Sequence, residues 1–274
     1  MSNQNDMIIT HYSKSKLYET IIETIKSAKN NLNKLKVEDL KSIDEFHIGG
    51  THATLDLIAQ LKIKPKTKIL DIGSGIGGPA RLISSRYKAD VTGIDLTPEF
   101  VETAIKINEL LDLNIEFYVG NALNLPFDEN DFDLAILLHV GMNIPNKKKL
   151  FSEVSRIIKN KGTFAIYDVM IIAEGDFEYP VPWASTPNTS FVEGVNNYHN
   201  AAITSGFKLI SKRSREKFAL DFFYNLRKII EKPGPTPAGL NLLMGSDAKI
   251  KIENLVNAIE NGYLAPVEMI FKKE

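Results

Sequence analysis

The stretch Ile69-Leu70-Asp71-Ile72-Gly73-Ser74-Gly75-Ile76-Gly77-Gly78-Pro79-Ala80-Arg81 limits the possible folds of this chain more than any other. A short apolar run, 68–72, breaks into four glycines within six positions, and helical spacing resumes through Ala80, Leu82 and Ile83. This is the pattern of a strand, a tight turn and the start of a helix. Glycines serve such a turn because the backbone must reach positive φ and a ligand can approach with no Cβ in the way. The helix start presents unpaired N–H groups to whatever binds there. The stretch reads as a site for a nucleotide-like cofactor.

The rest of the chain supports that turn with a regular alternation. Strands are expected at 67–72, 90–95, 115–119, 132–140 and 162–169, with helices near 79–87, 98–111 and 146–159 between them. Alternating strands and helices predict a parallel sheet covered on both faces. The helix at 146–159 carries Leu150, Val154, Ile157 and Ile158 as its core stripe and is ended by Asn160-Lys161-Gly162. Ahead of the first strand, apolar positions at helical spacing predict a helix over 12–33, a short one over 37–43, and a third that starts at Thr51 as N-cap and closes at Pro65. Residues 1–66 are therefore expected as an N-terminal helical cap and 67–274 as the main domain. After the fifth strand the alternation stops, and 174–190 reads as a long ordered loop. A helix near 191–205, a strand at 207–212, helices at 216–231 and 247–261 and a last strand at 264–271 follow, with a Pro-Gly-Pro-Thr-Pro linker at 233–237. The 216–261 helices form an insertion before the last strand and are expected to help wall a substrate pocket.

Bulk properties exclude several classes. With 43% apolar and 24% charged residues the composition is ordinary for a globular protein. A formal net charge of −1 gives no global pull towards nucleic acid or anionic membrane. There is no cysteine, which removes disulfides, thiolate zinc sites and cysteine nucleophiles. No apolar run approaches membrane-spanning length and the polar N-terminus has no signal-peptide pattern. A soluble, cytoplasmic protein is expected, with its oligomeric state left open.

Two cofactors compete for the turn. Gly73-x-Gly75-x-x-Gly78 matches the dinucleotide fingerprint, so a nicotinamide or flavin oxidoreductase must be weighed. Asp95 ends the second strand, 22 residues after Gly73, where either reading expects an acid to hold ribose hydroxyls. Asp71 discriminates. An acid at the mouth of the turn would repel a pyrophosphate and suits a cofactor without phosphates and with a cationic end.

Asp71-x-Gly73-x-Gly75-x-Gly77, with an acid closing the next strand, resembles the class I S-adenosylmethionine-dependent methyltransferases. The segments Phe46-His47-Ile48-Gly49-Gly50, Gly77-Gly78-Pro79-Ala80-Arg81, Val91 to Val101, Leu125-Pro126-Phe127, His139-Val140-x-Met142-Asn143-Ile144-Pro145 and Tyr179-Pro180-Val181-Pro182-Trp183-Ala184 are similar to the branch of sarcosine/dimethylglycine methyltransferases, from about residue 40 to the end. The resemblance implies a Rossmann-like α/β fold with a seven-stranded, mostly parallel sheet, helices on both faces and an antiparallel last strand. It implies S-adenosylmethionine as cofactor and S-adenosylhomocysteine as product. Asp71, Gly73, Ser74, Gly75, Gly77 and Gly78 would follow the methionine portion and ribose, Asp95 would take the ribose hydroxyls, and Leu96 would pack on the adenine. Asn121, beside Ala122, stands where the family often has an acid for the adenine amino group; an amide can still accept from that group and donate to the ring.

The acceptor side is less defined. His139 ends the apolar run 134–138, at the strand end where ligands of such sheets gather, and either hydrogen-bonds the substrate or acts as general base, or only supports the strand end. Phe46 and His47 could close over the cofactor or plug the cap. Met142 and Asn143 follow His139. Tyr179, Trp183 and Phe177 could cage a cationic amine, or Trp183 could pin the loop to the core. His47 and His52 lack metal-site spacing, so no metal is expected. The expected acceptor is a small amine or amino acid such as sarcosine or dimethylglycine. The alternatives are O- or C-methylation of a quinone or secondary metabolite and, outside the class, a nicotinamide oxidoreductase or a non-catalytic cofactor-binding protein.

Overall fold

Parallel strands covered on both faces read as unbroken apolar runs. At the centre of the sheet β1 (Lys68–Ile72) is buried from Ile69 onward, and β4 (Phe132–Leu138) at every position but Asp133. Around them lie β2 (Asp90–Asp95), β3 (Glu116–Val119), β5 (Ile158–Ile171), β6 (Phe207–Ser214) and β7 (Leu264–Lys273). In the computed structural model, which describes residues 2–13, 16–28, 35–41, 43–230 and 247–274, these seven strands form one sheet in the order β3-β2-β1-β4-β5-β7-β6. Only β7 runs against its neighbours, pairing antiparallel with both β5 and β6. The strand order reverses between β1 and β4, and a crevice opens there beyond their carboxyl ends.

The helices among the described residues are α1 (Ser2–Tyr12), α2 (Leu17–Ala28), α3 (Gly50–Ile58), α4 (Gly78–Tyr87), α5 (Pro98–Leu110), α6 (Lys147–Ile157), α7 (Val195–Thr204), α8 (Glu216–Ile230) and α9 (Ala248–Glu260). None is long and apolar enough to cross a membrane. Their starts follow local chemistry. Pro79 and Pro98 occupy first-turn positions in α4 and α5, where a missing N–H costs nothing, and Asn146 caps α6 by accepting from the Lys149 N–H at 2.9 Å.

Each face of the sheet has its own apolar core. On one side Leu150, Phe151, Val154 and Ile157 of α6 pack with Tyr198, Phe207 and Phe271. On the other, Ala53, Leu57 and Ile58 of α3 and Ala80 and Ile83 of α4 meet Ile69, Ile136 and Tyr167. A third cluster lies over the strand ends, where Phe223 of α8 and Leu255, Val256 and Ile259 of α9 pack on Trp183, Met142 and Val169.

Several boundaries differ from the sequence reading. Helix α6 stops at Ile157, because Ile158 turns extended (ψ 137°) and pairs with Phe132; residues 159–162 form a bulge in β5 rather than a helix end. β4 ends at Leu138, two residues short of the expected 140; the His139 N–H still donates to the Tyr167 carbonyl at 2.7 Å, but its φ of 55° turns the chain out of the strand. Thr51 is inside α3, whose N-cap is Gly49. The expected helix at 12–33 is represented by α2, and 37–43 by a 3-10 turn, Val37–Leu40. Helix α1 has no counterpart in the sequence reading. The proline linker at 233–237 and the middle of the 216–261 insertion lie outside the described residues.

Candidate functional site

The backbone of the glycine turn fixes one side of the crevice. The N–H groups of Gly73 and Ser74 both donate to the Ile94 carbonyl, at 2.8 and 3.0 Å, so the turn is bonded to the end of β2. Gly73 has φ 72°, and a Cβ there would run into the Val140 side chain. The turn after β1 and the turn after β4 therefore touch, and only glycine permits it. Asp95 is held from both sides: Oδ2 accepts from the Gly75 N–H at 2.9 Å and Oδ1 from the Thr97 N–H at 2.8 Å. Each oxygen keeps a second lone pair, so a pair of vicinal hydroxyls can still be taken by a carboxylate whose plane is set.

A cavity of about 590 Å³ extends from this turn. Asp71, Gly73, Ser74, Gly75, Asp95, Leu96, Asn121 and Ala122 line one half, together with Glu45 from the segment before α3. The buried Oδ2 of Asp71 and the hydroxyl of Ser74 find no partner among the described residues. Burial, and then the neighbouring Asp95 and Glu45 carboxylates, push the Asp71 carboxyl up to about 7. An acid in this state calls for a cationic ligand group, which would restore its ionised form. Asn121 accepts from the Leu123 N–H at 2.8 Å and donates to the Asn5 side chain of α1 at 3.3 Å.

The other half of the cavity is apolar. Its walls are Ile48, Met142, Val169, Trp183, Phe222, Phe223, Leu226, Ile252 and Leu255, drawn from β5, α8, α9, the segment before α3 and the turns after β4 and β5. His139 stands at the junction of the halves. Its Nδ1–H is directed at the Tyr167 carbonyl at 3.2 Å, which leaves the buried Nε2 as a bare acceptor without a partner among the described residues. Burial, then the nearby His47, hold the His139 imidazole well below its ordinary value. His47, whose ring centroid is 5.8 Å away, is likewise neutral, lowered to about 4 by burial. It is fixed by contacts from Nε2 to the Gly50 carbonyl and the Thr54 hydroxyl, both 3.0 Å.

Most of the residues singled out from sequence converge here: Phe46, His47, Met142, Asn143 and Trp183 line the cavity with the cofactor-side residues. Three do not. Gly77 and Gly78 lie behind the turn, facing Phe117 and the backbone of Asp44. Tyr179 stacks on Phe177 at 5.2 Å, and neither lines the cavity, so the three-ring amine cage is not assembled. The bridge between Val181 and Ala184 reverses the chain there. Trp183 alone faces inward, its indole N–H donating to Ser190 at 2.9 Å.

Sequence reasoning missed α1. Gln4, Asn5, Ile8, His11 and Tyr12 line the cavity, and this helix bonds to both halves: Asn5 to Asn121, and Tyr12 by its hydroxyl to Asn143 Oδ1 at 3.3 Å. Glu45 was missed as well, because no local motif marks it.

Comparison with known proteins agrees with this geometry. Residues 70–166 match the methyltransferase domain family. The chain is 32% identical over 165 residues to 24-methylenesterol C-methyltransferase 3 of Arabidopsis thaliana, which is 57% of this chain and 46% of that protein. It is 33% identical over 163 residues to the phosphoethanolamine N-methyltransferase of Plasmodium falciparum, 54% of this chain and 59% of that enzyme. The chain thus spans about half the length of these curated relatives. Among solved structures, a candidate sarcosine dimethylglycine methyltransferase from Galdieria sulphuraria superposes with a TM-score of 0.66 at 21% identity, over 81% of this chain and 86% of that one. The matched domain covers β1 to the middle of β5, the part of the sheet that carries Asp71, Asp95 and His139. Residues 70–166 thus resemble a methyltransferase domain, and the sheet around them has the fold of the solved methyltransferase.

Proposed function

We propose that the protein transfers a methyl group from S-adenosylmethionine to a small, largely apolar acceptor whose reacting end lies against His139. The observation that carries this reading is the division of one cavity into an acid-lined half with an unpartnered Asp71 oxygen and an apolar half with an unpartnered His139 nitrogen. Asp71 would face the cationic methionine end, Asp95 the ribose hydroxyls, and Leu96, Asn121 and Ala122 the adenine. The bound cofactor supplies an electrophilic methyl on sulfur, and the protein's contribution is alignment and exclusion of water. Neutral His139 offers Nε2 to an acceptor O–H or N–H, orienting its lone pair and taking up density as the proton is lost.

The apolar half favours a quinol, phenol or isoprenoid over a free amino acid. A carboxylate such as that of sarcosine needs a cationic partner, and Lys41 is the only lysine or arginine among the described residues lining the cavity. An amine acceptor is the second reading. It is supported by the acids of the cofactor half and by the N-methylating relative, while the absent aromatic cage speaks against it. The test is labelled methyl transfer across a panel of quinols, phenols, prenyl alcohols, sterols, sarcosine and dimethylglycine. Transfer to an apolar acceptor with kcat/KM at least about tenfold above any amine, roughly 1.4 kcal/mol of discrimination, is expected. Preferred transfer to sarcosine or dimethylglycine would overturn the apolar reading. A thermal shift with NAD but not with S-adenosylhomocysteine would overturn the cofactor.

A further inference from the structure

We propose that Glu45 is a second anionic contact for the cationic end of the cofactor, and that it makes the site prefer the sulfonium donor over its neutral thioether product. This rests on the reading of the cavity as a methyl-donor site.

Glu45 lies in the segment before α3, outside the glycine turn, yet its side chain is 2% exposed and lines the same half of the cavity as Asp71. Two contacts deliver it there. A Cβ at Gly78 would collide with the Asp44 carbonyl and crowd the Glu45 side chain, so the last glycine of the turn lets the 44–45 backbone dock on the start of α4. Next to it the fully buried Arg81 donates from Nη2 to Asp44 at 3.2 Å and to the Ile76 carbonyl at 2.6 Å. The Glu45 carboxylate itself accepts from the Thr54 hydroxyl of α3, which fixes its direction.

The charges do not balance without a ligand. Arg81 is hydrogen-bonded to Asp44. Asp71 and Glu45 remain as two buried carboxylates close enough that Glu45 is among the charges raising the Asp71 carboxyl. The basic side chain acting on Glu45 besides Arg81 is the exposed Lys41, and His47, 3.6 Å away, is held neutral by burial. One buried guanidinium shared among Asp44, Glu45 and Asp71 leaves the carboxylates in excess, which is costly unless a ligand supplies positive charge. S-adenosylmethionine brings an ammonium, a sulfonium and a carboxylate at one end, one net positive charge. S-adenosylhomocysteine keeps the ammonium and has a neutral thioether. The acid pair therefore matches the donor, and loss of the methyl leaves one carboxylate without its counter-charge, which favours release of the product.

The test is calorimetric titration of the full-length protein and its Glu45→Gln variant with S-adenosylmethionine and S-adenosylhomocysteine. Gln keeps the shape and can still accept from Thr54. Affinity for the sulfonium form is expected to fall at least about tenfold, well within the attraction of one charge–charge contact at an effective dielectric of about 20. Affinity for the thioether should change by less than about threefold, which also reports that the variant is folded. Thr54→Val, which releases the carboxylate without removing its charge, should lower sulfonium affinity in the same sense by a smaller factor. Equal losses for both ligands, or no loss for either, would overturn the proposal. If the unsubstituted protein binds neither ligand, the methyl-donor reading itself fails instead.

Discussion

The two halves of the cavity are built in opposite ways. The cofactor half is made of backbone and short acids at the ends of β1 and β2, with most contributors inside 71–75, 95–97 and 120–122. Its polar atoms are held by main-chain hydrogen bonds, as Asp95 is by Gly75 and Thr97. The acceptor half is made of large apolar side chains from α8, α9 and the loop after β5, held by packing. The first can recognise one rigid ligand through directional bonds. The second selects by shape and area, and a few side chains can reshape it. Directional recognition sits on the sheet, and selection by shape sits on the helices laid over it.

That contrast can be attacked at its seam first. Gly73→Ala places a Cβ against Val140 at a φ of 72°, where both halves meet. It is expected to cost roughly a hundredfold or more in both cofactor affinity and turnover, since displaced reactants lose alignment steeply. Calorimetry with S-adenosylhomocysteine and a rate measurement check it; a loss confined to one of them would mean the halves are independent. Leu226→Ala removes apolar surface from the acceptor half only. The acceptor KM should rise about tenfold, from roughly 1.5 kcal/mol of lost burial, while cofactor Kd stays within about twofold. A parallel rise in cofactor Kd would show the division to be wrong.

The smallest effect separates the halves by pH. The Asp71 carboxyl is raised from 3.8 to about 7, so between these values the folded, empty protein holds a proton that the unfolded chain has released. This contribution to stability is therefore lost as pH rises towards 7. A cationic ligand favours the ionised acid, so the melting-temperature shift produced by S-adenosylmethionine should be larger at pH 8 than at pH 6 by a few degrees. Asp95, Glu45 and Arg81 face the same group and belong to the same linkage. Acceptor KM should not follow that change, because His47 and His139 are already neutral at both values.

Legibility from sequence follows the same divide. Asp71, the glycines and Asp95 were readable because a strand, a turn and a second strand fix their spacing whatever packs around them. The helical periodicity at 216–231 was readable and the insertion was expected to wall a pocket, but nothing marked Phe222, Phe223 and Leu226 as the residues that face it. Helix α1 escaped because Met7, Ile8 and Ile9 are adjacent in a polar stretch and give no helical stripe. Nearness in sequence misled for Tyr179 and Trp183, since one reversal of the chain at 181–184 sends them to different places. Glu45 has no motif at all; its place depends on Gly78 and Arg81, 33 and 36 residues further along the chain.

The docking of the 44–45 segment on Gly78 and Arg81 bears on how such chains diversify. A segment exchanged between relatives must bring positions 44, 78 and 81 together, because Arg81 stripped of Asp44 would be a lone buried cation, at about 3–5 kcal/mol. The glycine turn and the stretch before α3 thus pack as one piece, and shuffled libraries cut between residues 45 and 78 should be depleted of folded members, whereas cuts beyond Lys88 should not carry this penalty.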